Sequence, residues 1–270
     1  MNEISETGME NAMAPHAIVR EFADGAIFTL NRPSKLNAIT AQMLADLEHC
    51  LDTLLEREAS LLVIVGRGDR AFSAGTDVQE LQQLSDDDQI KKCDRARNLF
   101  VRLSRAPIIS VAAINGLAYG GGLELAMSCT LRVATRSAAF SLPEIKLGLL
   151  PAYGGTQMLP AIVGHARALE MLLTGRIISA EEALSIGLIH RISEDDAPIE
   201  DAALRFGESV VRHSAGAVRA IRECVNASIG GDISEAGLNT EEQHVRTVFA
   251  SEEAKQGIAH FLARGKAAKP

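Results

Sequence analysis

Between Ala17 and Leu30 two short apolar runs flank Asp24-Gly25, a dipeptide whose residues both tolerate positive φ and favour a two-residue hairpin turn. The break Asn31-Arg32-Pro33 follows. Beyond it Met43, Leu44, Leu47, Leu51, Leu54 and Leu55 recur at the helical period, with Thr40 placed to cap the helix they define. Leu61–Val65 is a continuous apolar run too short for a helix, and it predicts a strand buried on both faces. Ile108–Ile114, behind Pro107, repeats that pattern, and Leu131–Ala134 and Ala138–Ser141 are shorter strand candidates. Ser179 and Glu182 have the spacing of a capping box, with Gly187 placed to end the short helix. After about Ala197 the pattern is helical, with turns expected at Ser214–Gly216 and Gly230-Gly231 and with Ser251 as the N-cap of the last helix. Strands alternating with helices, and glycine-rich turns after strands, predict an α/β architecture. No internal sequence repeat is evident.

With 270 residues, the chain is long for one compact domain and short for two. The expectation is a polar, disordered tail over residues 1–14, a core over 15–196 and a helical appendage over 197–270. Apolar residues at 47% and charged residues at 23% suit a globular protein in water, and aromatics at 4% leave the core to aliphatic side chains. A net charge of −8 supplies no positive field for nucleic acid, although a local basic pocket for a phosphorylated ligand stays open. The four cysteines lack CxxC spacing and the seven histidines lack HExxH, so reduced thiols of a cytoplasmic protein are expected, with no metal and no cofactor. The N-terminal stretch lacks the basic start and apolar run of a secretory signal, and no apolar run reaches the ~20 residues that a membrane span requires.

Three segments carry candidate chemistry. Asn115-Gly116-Leu117-Ala118-Tyr119-Gly120-Gly121-Gly122-Leu123-Glu124 follows a predicted strand and opens a predicted helix, Leu123–Cys129. Consecutive glycines there let backbone approach a ligand, and unpaired N–H groups at a helix start suit a phosphate or an oxyanion. The segment matches neither a P-loop nor GxGxxG. Ala71-Phe72-Ser73-Ala74-Gly75-Thr76-Asp77 also follows a predicted strand and offers a second set of N–H groups, and two donors from separate loops are what an oxyanion hole needs. The third segment is Leu142-Pro143-Glu144, with Gly148, Pro151 and Gly154-Gly155-Thr156 after it. Several features have plainer readings. Asp77 suits a helix cap, His165 a helix entry, and Asp86–Asp88 with Lys91-Lys92 a solvated helix start.

Taken in order, these segments resemble the crotonase, or enoyl-CoA hydratase/isomerase, family. The resemblance takes in Asn31-Arg32-Pro33, Leu36-Asn37-Ala38, AFSAGTDV, the Ala112–Gly122 run, PEIKLGLLPAYGGTQ and LLTGRIISAEEALSIGLI, and covers roughly Ala17 to Ile192. It implies a spiral of ββα turns with a C-terminal helical region that packs trimers, often paired into hexamers. It implies an acyl-CoA thioester as substrate, coenzyme A being part of that substrate, and an enolate held by the N–H groups of Thr76 and Gly121. Many relatives carry alanine where Thr76 stands. Because only the backbone N–H is used, little is expected of that difference. The two carboxylates of a hydratase fall on Glu124 and Glu144, 20 residues apart, which favours water addition to a 2-enoyl-CoA in acyl-CoA catabolism. Ala74, Asp77, Arg32, Lys35, Phe261 and Arg264 are the implied coenzyme A contacts. The usual Pro-Gly-Ala-Gly-Gly run reads Pro151-Ala152-Tyr153-Gly154-Gly155 here, a difference that bears on acyl-chain preference and on the bound water.

Three rivals follow from the same residues. A double-bond isomerase would use one carboxylate, with Glu144 essential. A serine hydrolase would use Ser73 with His190 or His213, though Ala71–Gly75 falls short of the GxSxG elbow. A non-catalytic protein of this fold would bind coenzyme A or RNA without turnover.

Overall fold

The structure, a computed structural model, describes residues 14–194, 198–227 and 234–267, with side chains up to residue 260. The expected tail lies almost wholly outside these residues, as does the Gly230-Gly231 turn.

The hairpin forms from β1 (Ala17–Phe22) and β2 (Gly25–Leu30), with Phe22 opposite Gly25. Its turn falls on Ala23-Asp24, one residue earlier than the Asp-Gly pair suggests, and neither residue has positive φ. Gly25 is required for space instead: a Cβ there would lie 2.2 Å from the Leu61 carbonyl oxygen. Helix α1 (Ala41–Glu56) begins where Thr40 Oγ1 accepts the Met43 N–H at 3.1 Å, and it buries Met43, Leu44, Leu47, Cys50, Leu51 and Leu54.

The chain continues as β3 (Leu61–Gly66), β4 (Ala71–Ser73), α2 (Val78–Gln82), α3 (Asp86–Arg105), β5 (Ile109–Ile114), β6 (Leu117–Tyr119), α4 (Gly121–Ser128), β7 (Leu131–Ala134) and β8 (Ala139–Ser141). A 3₁₀ turn at Glu144–Leu147 leads to α5 (Gly155–Val163), α6 (His165–Thr174), β9 (Ile178–Ser179), α7 (Ala180–Ser185) and β10 (Arg191–Ile192). The helices α8 (Ile199–Val211), α9 (Ala215–Ala227), α10 (Glu235–Ala250) and α11 (Glu252–Ala267) follow.

Two sheets result, ordered β1-β2-β3-β5-β7-β10 and β4-β6-β8-β9. Three times a strand of the first sheet passes directly into a strand of the second. Strands β3, β5 and β7 pair in parallel, and so do β4, β6 and β8. This is the spiral of ββα turns that the resemblance implies. It is a repeat of backbone path rather than of side chains, so no sequence repeat marks it.

Two buried asparagines fix the crossing from β3 to β4. Asn37, at φ 54°, accepts the Arg32 N–H on Oδ1 at 3.0 Å and donates from Nδ2 to the Ala71 carbonyl at 2.8 Å and to Arg67 at 3.1 Å. Asn115 accepts the Gly66 N–H at 3.2 Å and donates to the Gly68 carbonyl at 2.7 Å. A crossing between sheets has no ladder partner of its own, so these amides complete its hydrogen bonds.

One core fills the space between the sheets and helices around Phe28, Phe72, Phe100 and Phe140. A second lies on the other face of the first sheet, where Ile27, Val63, Val111 and Val133 meet Ala203 and Phe206 of α8. In α7 Ser179 caps as expected, accepting the Glu182 N–H at 3.2 Å, and Gly187 follows the helix at φ 78°. The Glu182 carboxylate turns instead to Arg176, so the reciprocal half of the capping box is not made. Lys92 also departs from expectation. It is buried, not solvated, and its Nζ meets Glu80 Oε2 at 2.6 Å, tying α3 to α2.

Asn37→Ala should lower the free energy of unfolding by about 2–4 kcal/mol, because it leaves buried backbone groups unpaired. Urea denaturation of the variant beside the unaltered protein measures this directly.

Candidate active site

Strands β4, β6 and β8 lie side by side, and the segments leaving their C-terminal ends carry Thr76, Gly121 with Glu124, and Glu144. The topology thus gathers all four residues singled out in the sequence at one end of one small sheet, where open α/β sheets commonly hold ligands.

Gly120 enters α4 at φ 50° and ψ −128°, a conformation open to glycine alone. A Cβ on Gly121 would lie 2.8 Å from the Tyr153 ring, and one on Gly122 would lie 2.4 Å from the Ser73 carbonyl oxygen. As the first residue of α4, Gly121 has no acceptor for its N–H within the helix. The neighbouring loop runs close beside it: a Cβ on Gly75 would stand 3.2 Å from the Gly121 nitrogen. Ile39 bridges that loop, donating to the Gly75 carbonyl at 2.7 Å and accepting from the Asp77 N–H at 3.0 Å. The Thr76 N–H between those bonds stays unused within the described residues. Two backbone donors therefore meet from separate loops.

Glu124 sits in the first turn of α4 and is 1% exposed. Its Oε1 accepts the Tyr153 N–H at 2.8 Å and the Gly155 N–H at 2.7 Å. Burial pushes this carboxyl up to about 7, with the charge of Glu144 adding to the rise and the two N–H bonds acting against it. Glu144, expected in a loop, opens the 3₁₀ turn. Its Oε1 lies 2.8 Å from where a Cβ on Gly120 would stand, and its Oε2 is buried without a hydrogen-bond partner. Burial raises this carboxyl as well. Two carboxyls raised by burial thus stand at one end of the sheet with two backbone N–H groups that lack acceptors among the described residues, a set chemically able to hold an oxyanion and exchange a proton beside it.

The remaining candidates are more dispersed. Arg32 Nη1 meets Asp77 Oδ2 at 2.7 Å and the Ala38 carbonyl at 2.9 Å. Asp77 caps α2 through the Gln79 and Glu80 N–H groups. Its burial acts to raise the carboxyl, but Arg32 and those N–H groups outweigh it and hold Asp77 below the usual range. Lys35 Nζ donates to Gln79 Oε1 at 3.0 Å, and the partly exposed Ala74 donates its N–H to the Leu36 carbonyl at 2.9 Å. Phe261 and Arg264 fall in α11, where the side chains lie outside the described residues. Ser73, the nucleophile of the hydrolase reading, is fully buried and its Oγ accepts the Gly75 N–H at 3.2 Å. His190 is engaged by the Arg132 N–H, on the first sheet. Sequence reasoning missed one participant, Tyr153. Its difference from the usual run is visible in the sequence, but its burial against Gly121 depends on the folded path of the Pro151–Gly155 loop.

Residues 24–268 match the family model described as enoyl-CoA hydratase/isomerase, and the chain belongs to that family. A probable enoyl-CoA hydratase of Rhizobium meliloti is 37% identical over 241 residues, covering 89% of this chain and 92% of the relative. A short-chain-enoyl-CoA hydratase of Clostridium acetobutylicum is 32% identical over 243 residues, covering 89% and 92%. The crystal structure of an enoyl-CoA hydratase from Bacillus anthracis superposes with a TM-score of 0.85 at 29% identity, over 92% of this chain and 96% of that one.

Because the folded protein raises the Glu124 carboxyl to about 7, its charge is a burden on stability that is absent below the ordinary carboxylate range and grows as pH rises through 7. Glu124→Gln should therefore be more stable than the unaltered protein above pH 7, by about 3 kcal/mol, and should lose that advantage near pH 4.5. Thermal unfolding of both proteins across that range tests the sign.

Proposed function

We propose that this protein is an enoyl-CoA hydratase, adding water in the syn sense across the double bond of a 2-enoyl-CoA thioester to give the 3-hydroxyacyl-CoA. The reading rests on one observation above the others: the buried carboxyl of Glu124 and the half-buried carboxyl of Glu144, both raised by burial, stand at the same end of the small sheet as the N–H groups of Thr76 and Gly121, which have no acceptor among the described residues. It is supported by relatives whose names carry this activity.

In this mechanism the thioester carbonyl lies between the two N–H donors and withdraws electrons from the alkene. Both carboxyls hold one water at the double bond. Its oxygen bonds to Cβ while Glu124 takes its proton, and negative charge collects on the thioester oxygen in the hole. Glu144 then delivers a proton to Cα, so H and OH have been added. Proton exchange with solvent returns Glu124 to carboxylate and Glu144 to acid. Two backbone N–H groups on Glu124 offset part of the cost of its charge, and burial favours a proton on Glu144. No cofactor enters this scheme.

Coenzyme A would lie along the loop at Ala74. Arg32 and Lys35, with Phe261 and Arg264 of a neighbouring subunit, would meet its nucleotide end, and Asp77 would hold Arg32 in place. A homotrimer or homohexamer built through residues 197–270 is part of the same reading. The exposed apolar side chains Leu147, Leu149, Leu150, Leu169, Leu173 and Ile177 around the Glu144 turn favour such an assembly. The proposed setting is cytoplasmic acyl-CoA catabolism, and none of the described helices is long and apolar enough to cross a membrane.

Mixing the protein with crotonyl-CoA should bleach the conjugated-enoyl absorbance, and Glu124→Gln or Glu144→Gln should each slow this by ~10²–10⁴. Double-bond migration in a 3-enoyl thioester that survives Glu124→Gln and not Glu144→Gln would instead establish the isomerase. Since the base must be ionised, kcat/KM for hydration should fall as pH drops below about 7, and the acidic limb belongs to the carboxyl pair as a unit.

A further inference from the structure

Tyr153 touches Glu124, Gly121 and Thr76. Its N–H donates to Glu124 Oε1 at 2.8 Å, its ring lies over Gly121 where a Cβ would fall 2.8 Å from Cε2, and its hydroxyl meets Thr76 Oγ1 at 2.6 Å. The ring is 2% exposed and packs edge-on against Phe100, with centroids 5.7 Å apart and planes at 84°. It has no route to swing into solvent without opening this packing. Of the three positions that depart from the family pattern, Thr76, Ala152 and Tyr153, the first and last are therefore direct partners. Thr76 lies between β4 and α2, Gly121 starts α4, and Tyr153 precedes α5, so one side chain joins three segments that have no ladder in common.

We propose that the Thr76–Tyr153 hydrogen bond is a clasp that sets the spacing of the two oxyanion donors against Glu124, making Tyr153 a positioning residue for hydration. This rests on the hydratase reading. Thr76 supplies a backbone N–H to the substrate oxygen, and its side chain is free to be held from behind. Tyr153 grips that side chain at one end and Glu124 at the other, so a shift of the hole is resisted by the base. An alanine at 76, or a phenylalanine at 153, would leave the ring packing intact but release the grip. Displacements of about 1 Å at a reacting centre cost up to ~10² in rate, and a loosened clasp should cost about tenfold in kcat, with KM changed less than about threefold.

The same geometry predicts a pH signature. The groups facing Glu124 are Glu144 on the 3₁₀ turn, the Cys93 thiol on α3 and the Tyr153 phenol itself. None is a cation, so the charged form of Glu124 relies on the Tyr153 and Gly155 N–H groups. When the clasp opens and these drift, the base becomes harder to ionise and the acidic limb moves to higher pH.

The experiment compares Tyr153→Phe, Thr76→Val, their double variant and Thr76→Ser in crotonyl-CoA hydration. It also reads the two tyrosines, Tyr119 and Tyr153, by NMR of protein labelled with ¹³C at tyrosine Cζ. Each single change should lower kcat about tenfold, the double variant should be no slower than either single, and Thr76→Ser should recover most of the loss in Thr76→Val. Tyr153→Phe should move the acidic limb upward, a change that lower stability alone would not produce. In the spectrum, Thr76→Val should shift the signal that Tyr153→Phe removes. Independent, additive losses overturn the clasp, as do unchanged rates in variants of an active enzyme or a Tyr153 signal indifferent to Thr76→Val. If the unaltered protein hydrates no 2-enoyl thioester, the hydratase reading falls, and the tyrosine signal still decides whether the clasp exists.

Discussion

A carboxyl group placed where water cannot reach it must either lose its charge or find donors, and Glu124 is such a group. The donors it finds are backbone N–H groups of Tyr153 and Gly155, not a lysine or arginine. This dictates much around it. The Pro151–Gly155 loop has to run directly over the first turn of α4, and a Cβ on Gly155 would already stand 3.0 Å from Glu124 Oε1. Gly154, at φ 114°, turns the chain so that the N–H groups on either side of it converge on one oxygen. The glycines of the third segment serve this carboxyl as much as they serve any ligand.

The spiral supplies the rest. A ββα turn places a strand of the second sheet immediately before each functional segment, and parallel pairing of β4, β6 and β8 aligns the three exits. Neighbouring strands in a sheet are about 4.8 Å apart, so groups leaving consecutive exits lie within reach of one small substrate. Two donors and two acids from three turns thus meet without any long loop. The supports lie behind the exits: Asn37 and Asn115 at the crossing between sheets, and Glu80 with Lys92 behind α2.

How much of this was legible in the sequence depended on length and on period. Strands β3 and β5 of the first sheet are continuous apolar runs and were readable, as was α1 with its Thr40 cap. Strands β4 and β6 are three residues long and β9 and β10 two, which is too short for any alternation to register, so only the family resemblance implied them. The hairpin turn slipped by one residue because Gly25 is demanded by the Leu61 carbonyl on another strand, a constraint absent from local turn chemistry. Lys92 followed an acidic run and read as solvated, and its partner Glu80 belongs to a separate helix. At the site, Glu124, Glu144, Thr76 and Gly121 were named from the ordered family resemblance, and the fold gathers them at one end of the small sheet. Tyr153 was visible only as a difference, since its meaning lies in contacts to residues 77 and 32 positions away.

The environment of Glu124 also sets how readily this glutamate exchanges a proton. A solvated glutamate is fully ionised at neutral pH but is a weak base, and a fully desolvated one would be neutral and no base. Burial with two N–H donors balances these limits and places the carboxyl near 7, where it takes up and releases a proton with little free-energy difference. Glu144 is half-buried with its Oε2 unpartnered, and burial raises its carboxyl as well, against a backbone hydrogen bond that lowers it. The two carboxyls thus sit in different settings, Glu124 under two N–H groups of one loop and Glu144 at the start of its own 3₁₀ turn. The first setting depends on the path of the Pro151–Gly155 loop, and whatever fixes that loop, the Thr76–Tyr153 contact included, acts on the ionisation of Glu124 as much as on the fold.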